Sequence, residues 1–389
     1  MNLIINRLAI AGYAIYKAGI NYFKSDVNNK NIVIIFQQVF GDAVILLSTL
    51  KEYEKLFPQS DGYHIKLLLR PQILCFLNDI AELPNNIEYI PIEFKNIVND
   101  YDYFKGVVNE HCVNIEYVIV PGTSLSAELL SSASNARRRI GLVQAFQRQW
   151  PPHMWLFQKL AYSEKVIPKI DEMMLQRHRR LLHYLGYTEF KAILPVLKYQ
   201  KSIIQEKYIV IAPGASSYVK CWPLDRFVLL VEYIVDKYNI SVFLCGSKED
   251  KYRSEYISDR LNNNSKVHNY VGKLKFYEWS SLIQHADLVI GNDSATIHLA
   301  AAHKTKAICI AGVYDKYQFF PYRIDVKDVL PVAVFKEKEC SWCRTKGYYA
   351  GYGNKKCSNA IKEGKPAKCI SEIDVKDVTD KIEYIMKLK

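Results

Sequence analysis

The stretch Asn292-Asp-Ser-Ala-Thr-Ile-His298 has the make-up of an anion site. Asp293 and Ser294 stand where a helix N-cap belongs, which leaves the amides of Ser294, Ala295 and Thr296 without helical partners at the positive end of the helix dipole. His298, in the first turn, can add a donor to the same anion. Upstream, Pro213-Gly-Ala-Ser-Ser-Tyr-Val-Lys220 forms a loop in which Gly214, Ser216 and Ser217 allow backbone to approach a ligand closely and Lys220 places one cation there. A third stretch, Gly246-Ser-Lys-Glu249, sets a carboxylate that can accept bonds from a ribose diol. Gly41-Asp42 sets another carboxylate after an apolar run near the start of the chain. Taken singly, each has a plainer reading: a capped helix for the Asp-Ser pair, an N-cap aspartate for Asp42.

These residues need strands and helices to position them. Residues 32–36 are a fully apolar strand; Gly41 permits a tight turn and Asp42 caps a helix over 43–56. Strands over 65–69, 87–90 and 117–120 alternate with helices over 72–78 and 127–134. Residues 142–170 read as irregular and aromatic, with 150–155 as a stiff turn, and 171–185 as an amphipathic helix stopped by Gly186. The plan repeats from Tyr208, with Pro223 near a first helical turn, strands at 286–290 and 307–312, and a last helix carrying Val375, Val378, Ile382 and Ile385 on one face. The class is therefore α/β with parallel sheets, and three strand ends carrying an anion site, a lysine and a carboxylate describe a nucleotide-diphosphate pocket at a sheet's carboxyl edge.

The ordered set Pro213-Gly-x5-Lys220-x-Trp-Pro223, Gly246-x2-Glu249 and Asn292-Asp-Ser-x3-His298-Leu resembles glycosyltransferase family 9, the bacterial heptosyltransferases, over residues 31–387. The resemblance implies a GT-B fold: two facing Rossmann-like domains, an acceptor-binding one over 31–186 and a donor-binding one over 207–389, joined by a linker over 187–206 after an N-terminal helix within 1–30. The last helix would pack back across the domains. It also implies an inverting transfer of a sugar, heptose from ADP-heptose, to a hydroxyl of a lipopolysaccharide-type or other anionic surface glycan. Asp42 is then the general base. Lys220, His298 and the amides at 294–296 would stabilise the departing diphosphate without a divalent cation, so the chemistry requires no cofactor. The only Asp-x-Asp, Asp100-Tyr-Asp102, lies in the first half and reads as a solvated turn. Arg137-Arg138-Arg139-Ile-Gly141 matches the family's Arg-x-Gly turn; the arginines are either a solvated face or, with Gly41, part of the acceptor site. Two positions depart from the family pattern: Ala295 stands where glycine is usual and its methyl narrows the approach to the donor, and Ser48 replaces a common proline.

Composition bounds the rest. At 389 residues, 49% hydrophobic and 24% charged, the chain can bury two or three domain cores, and its net charge of +12 calls for an anionic partner. No nucleic-acid motif accompanies that charge, so nucleic acid is the weaker partner class. Nine cysteines without an export signal point to the cytoplasm. Cys340-x2-Cys343-x13-Cys357-x11-Cys369 has the spacing of a structural zinc or iron site, with two disulfides or four free thiols as the other readings. Ile4, Leu8, Ala11, Ile15, Ala18 and Tyr22 recur at helical spacing. A helix over 3–23 would either pack on the second domain or lie in an inner-membrane interface beside Arg7, Lys17 and Lys24; the run 8–16 is too short to span. A protein in place of a glycan as acceptor, and a non-catalytic sugar-nucleotide-binding module, are the competing functions.

Overall fold

The computed structural model describes residues 3–22, 29–143, 152–169, 171–202, 204–313, 318–337 and 362–387. The chain divides into two units: Met1–Asn78 with Glu82–Ala192, and Asp79–Ala81 with Ile193–Lys389. The division at 192/193 falls inside the stretch expected as a linker, and the N-terminal helix belongs to the first unit.

In the first unit, the β-branched run of β1 (Asn31–Phe36) has both faces buried and pairs in parallel with β2 (His64–Leu69) and β4 (Tyr117–Val120). With β3 (Ile87–Pro91), β5 (Arg138–Leu142) and β6 (Glu164–Val166) it forms a six-stranded parallel sheet in the order β3-β2-β1-β4-β5-β6. One face carries α6 (Tyr101–His111) and α7 (Leu125–Ala133), whose Phe104, Val108 and Leu130 pack on Val33, Ile35 and Val118.

Several expectations need correction here. The helix after β1 starts earlier, as α2 (Phe40–Leu47), so Asp42 lies inside its first turn and Val39 is the cap residue. It then breaks, because the Ser48 and Thr49 hydroxyls bond back to the Ile45 and Leu46 carbonyls at 2.7 and 2.6 Å, and α3 (Leu50–Leu56) starts afresh. Asp100 is no idle turn residue: its carboxylate accepts the Tyr103 N–H at 3.1 Å and caps α6. Arg138 and Arg139 lie in strand β5, not in a turn, and residues from Pro152 onward form helix α8 (Pro152–Ala161) where a stiff turn was expected. The N-terminal helix α1 (Leu3–Tyr22) packs on the first unit, not the second; of the expected stripe Ala11 and Ala18 are covered, together with Ile10 and Ala14, whereas Ile4, Leu8 and Ile15 are exposed.

The second unit repeats the plan with β7 (Tyr208–Ala212), β8 (Ser241–Leu244), β9 (Val267–Asn269), β10 (Leu288–Asn292), β11 (Ala307–Ile310) and β12 (Val332–Val334), parallel in the order β12-β11-β10-β7-β8-β9. Gly291 is required where β10 meets β7, since a Cβ there would lie 2.7 Å from the Ala212 carbonyl oxygen. Helices α10 (Leu224–Tyr238) and α11 (Lys251–Arg260) follow β7 and β8. The C-terminal helix Val375–Lys387 buries Val378, Ile382 and Ile385 in the core of this same unit, beside Ile308 and Ile310. Residues just before it are tied to the β7 loop: Ala367 N–H donates to the Val219 carbonyl at 3.3 Å, and the Ile373 carbonyl accepts from Trp222 Nε1 at 2.8 Å and from the Arg226 guanidinium.

Candidate active site

A doubly wound sheet opens a crevice outside the carboxyl ends of the two adjacent strands from which the chain winds in opposite directions. In the second unit those strands are β7, which leads outward to β8 and β9, and β10, which leads to β11 and β12. The loop after β7 folds into a short 3-10 turn, Tyr218–Lys220, and carries Lys220; the end of β10 carries Asp293. Lys220 Nζ and Asp293 Oδ2 meet at 2.7 Å, with both side chains largely buried. Asn292 fastens this approach: its Nδ2 donates to the Pro213 carbonyl at 2.8 Å and its Oδ1 accepts the Trp222 N–H at 2.9 Å.

Helix α13 (Ala295–Ala302) starts at the same corner, with Ser294 as an extended N-cap residue. The first intrahelical contact here is made by the Ile297 N–H to the Ser294 carbonyl at 3.1 Å, so the Ala295 and Thr296 amides precede the helical ladder. Ser294 Oγ is buried and has no hydrogen-bond partner among the described residues. An orphaned hydroxyl, two leading amides and an ammonium group together form a cradle for an oxyanion.

His298 is buried, with Nε2 3.7 Å from Asp293 Oδ1 and Nδ1 bonded to the Tyr322 hydroxyl. Beside an ionised Asp293 the Nε2 proton faces the carboxylate and Nδ1 accepts from Tyr322. Phe319 and Phe320 close around the imidazole, with ring centroids at 5.2 and 5.5 Å. Burial alone would raise the Asp293 carboxyl, but Lys220 and then His298 overcome it and hold the group well below the usual carboxylate range. Burial also pushes the Tyr322 phenol far up, so it remains a donor.

Gly214 lies beside Asp250 on the β8 loop. A Cβ at 214 would come within 2.2 Å of the Asp250 carboxyl, whose Oδ2 accepts the Ser247 N–H and O–H at 3.1 and 3.0 Å. The absence of a side chain at 214 makes room for Asp250, a contact that loop composition alone does not reveal. Ser216 and Ser217 are exposed on the same loop, and Glu249 is exposed on the next, with the Ser247 hydroxyl the main influence lowering its carboxyl.

The first unit has its own switch point, between β1 and β4. Gly41 is buried and Asp42 half-buried in the first turn of α2. Gln37 Oε1, just after β1, accepts the Ser126 hydroxyl on α7 at 2.7 Å. The three arginines part company. Arg137 is exposed; Arg138 is bound to both Glu164 oxygens at 2.7 and 2.6 Å, with its guanidinium 5.0 Å from the Tyr117 ring centroid. Arg139 is half-buried, and its Nε has no hydrogen-bond partner among the described residues. Arg138 and Arg139, successive residues of β5, point to opposite faces of the sheet. Of the four cysteines, Cys340, Cys343 and Cys357 lie outside the described residues, and Cys369 is buried in the second unit's core.

Sequence reasoning missed Asp250 and Tyr322. The first had a local signal in Ser247-x-x-Asp250, a capping pattern. The second had none, standing 24 positions beyond its partner His298.

The sequence profile of glycosyltransferase family 9 (heptosyltransferase) matches residues 112–347. The chain is similar to lipopolysaccharide heptosyltransferase 3 of Escherichia coli (strain K12), 33% identical over 119 residues, which is 31% of this chain and 35% of that protein. It thus spans about a third of the length of the first curated relatives it matches. Among solved structures, ADP-heptose lps heptosyltransferase II of E. coli matches with a TM-score of 0.65 at 16% identity, covering 92% of this chain and 99% of that one. A glycosyl transferase family 9 structure from Veillonella parvula DSM 2008 matches with a TM-score of 0.68 at 17% identity, covering 92% and 98%. At these identities the structures show the fold, a two-unit α/β GT-B architecture.

Proposed function

Because the chain belongs to glycosyltransferase family 9, the heptosyltransferase family, we propose that it is an inverting glycosyltransferase, moving heptose from ADP-heptose to a hydroxyl of a lipopolysaccharide-type acceptor in the cytoplasm. The observation that carries this reading is the Lys220–Asp293 pair at the β7/β10 switch point, beside the orphaned Ser294 hydroxyl and the Ala295 and Thr296 amides. That set suits a diphosphate. Lys220 would be shared between Asp293 and the phosphates, and the amides would take the oxygens that gain charge as the bond to the sugar breaks.

The reaction forms one bond, from the acceptor oxygen to the anomeric carbon, and breaks one, from that carbon to the diphosphate oxygen. The acceptor proton must leave as the new bond forms. Asp42, a carboxylate on the first turn of α2 at the other switch point, is the group we give this task; general base help of this kind is worth roughly 10²- to 10⁴-fold. Asp100 of the sequence's one Asp-x-Asp caps α6, and the charge on the leaving group would fall to Lys220 and the α13 amides. The four-cysteine set would hold one structural zinc or iron ion through thiolates, with no step of the transfer routed through it. Metal analysis of reduced protein, with Cys343→Ser as control, checks that part.

A donor screen by thermal shift, followed by transfer of labelled heptose, tests the proposal. ADP-heptose at about 100 times its dissociation constant should stabilise the chain by about 2.7 kcal/mol, and uridine-linked sugars should not. Label should then appear in a lipopolysaccharide fraction. Label in a protein band would replace the acceptor class, and no stabilisation by either ADP-heptose or ADP would overturn the reading.

A further inference from the structure

Helix α1 is apolar on two opposite sides. One side is occupied: Ile10, Ala14 and Ala18 are buried against α6 and α7, and the Tyr13 ring meets Tyr101 and Phe104 at 5.9 Å each. Polar bonds lock this seat, from Arg7 to the Asn99 side chain at 2.9 and 3.1 Å and from Asn21 to the Ser134 carbonyl at 2.7 Å. The other side faces outward and carries Ile5, Leu8, Ile15 and Tyr16, exposed by 53, 68, 45 and 62%. Gly12 and Gly19 lie between them. At about 100° per residue these six positions fall in a sector roughly 100° wide on the face away from Ala14, with no charged residue among them. A surface helix ordinarily shows its polar side to water; here the outward side is the apolar one.

We propose that this outward stripe docks the first unit on an anionic phospholipid surface, with α1 lying in the plane of the interface. Three observations select that occupant. Charge complements it: residues 1–30 hold Arg7, Lys17, Lys24 and Lys30 against one acid, Asp26, in a chain of net charge +12. Relief suits it as well, because aliphatic side chains separated by two glycines make a stripe that lipid fills without matched knobs. The helix is long and apolar enough to cross a bilayer, yet its seat on α6 and α7 holds it to the protein, so it meets lipid from the side. The unit so docked is the one that carries Asp42. Delivery of that carboxylate to a lipid-borne acceptor rests on the function proposed above; the docking itself does not.

Gly12 provides the test, since a Cβ there meets nothing within 4 Å and either a charge or a hydrocarbon can be added without a clash. Flotation of the full chain would be measured with vesicles of phosphatidylglycerol and phosphatidylethanolamine and with vesicles of phosphatidylcholine alone. Thermal melting, ADP-heptose thermal shift and light scattering would be run on the same samples. The parent should float with the anionic vesicles and release at high salt. Gly12→Glu should lower the bound fraction at least ~tenfold and Gly12→Leu should raise it, although both replace a helix glycine and leave folding intact. Leu8→Glu should act as Gly12→Glu does. Loss of flotation in every variant and in the parent overturns the docking, as does salt-resistant self-association that Gly12→Glu abolishes, which would give the stripe to a second copy. Flotation without any ADP-heptose shift would leave the docking standing and sink the transferase reading.

Discussion

Replacing Gly214 by alanine separates two reasons for a glycine beside a ligand loop. If it were there to admit the ligand, Gly214→Ala would weaken donor binding and leave stability alone. The structure gives another reason, because the new Cβ would stand 2.2 Å from the Asp250 carboxyl, which must swing away. Backbone strain adds nothing, since Gly214 does not occupy the left-handed region. Asp250 then gives up both bonds to Ser247, a capping arrangement worth about 0.5–2 kcal/mol, and part of the Arg253 contact at 3.6 Å. With the residual crowding, Gly214→Ala should cost the second unit about 2–3 kcal/mol. Asp250→Ala alone should cost about 1–2 kcal/mol. The double variant should cost little more than Asp250→Ala, because the clash is with the carboxyl group that is gone, giving a coupling of about 2 kcal/mol. Urea unfolding of the four proteins, followed through the transition that ADP-heptose shifts, measures the cycle. Strict additivity, or a Gly214→Ala protein of full stability with weakened donor binding, would refute the reasoning.

Asp42→Asn should keep the ADP-heptose thermal shift and lose turnover by at least about a hundredfold; near-normal turnover would remove Asp42 from the base role. Lys220→Met keeps the length of the side chain and removes its charge, so donor affinity should fall by about 1.5–3 kcal/mol, read by calorimetry, with unchanged affinity placing the diphosphate elsewhere. Glu128 on α7 is fully buried, and burial pushes its carboxyl up to about 8, against a smaller opposing pull from Gln158. The folded pKa lies above the unfolded value of about 4.3, so the protonated group's contribution is complete below pH 4.3 and is lost as pH rises through 8. Glu128→Gln should therefore melt progressively higher than the parent between pH 5 and 8, whereas a pH-independent difference would mean that the carboxyl titrates normally.

What could be read from residue order was mostly what neighbouring residues decide. The alternation of apolar runs with helical periods placed β1 to β4, β7, β8, β10 and β11, while β5, β6 and β9, short or mixed with polar residues, were not read as strands; the Asn292-Asp-Ser corner placed the start of α13. Pairings between distant positions were not available that way. Lys220 and Asp293 each looked like a ligand group, yet they stand 73 positions apart and their mutual bond, with His298 turned toward it, follows from β7 lying next to β10. Errors arose where a local pattern had two meanings. Asp42 after Gly41 looked like a cap, but Phe40 and Gly41 already take helical geometry. Asp100-Tyr-Asp102 looked like a solvated turn, although Phe104, Val107 and Val108 mark the buried face of the helix that Asp100 caps. In α1 nearly every position is apolar, so periodicity could not tell which stripe is covered; Ala14 and Ala18, being small, allow the closer approach to α7.

The Ala367 and Ile373 contacts tie the 3-10 turn that carries Lys220, and the start of α10, to the segment leading into the C-terminal helix. Two sites joined in this way exchange free energy in both directions. A nucleotide that steadies the turn must also make local opening of residues 367–373 rarer, and hydrogen exchange at the Ala367 amide becomes a distant reporter of occupancy. Conversely, whatever loosens the tail, whether cleavage before Ala367 or a charge set against Ile373, would reach Lys220 without touching it.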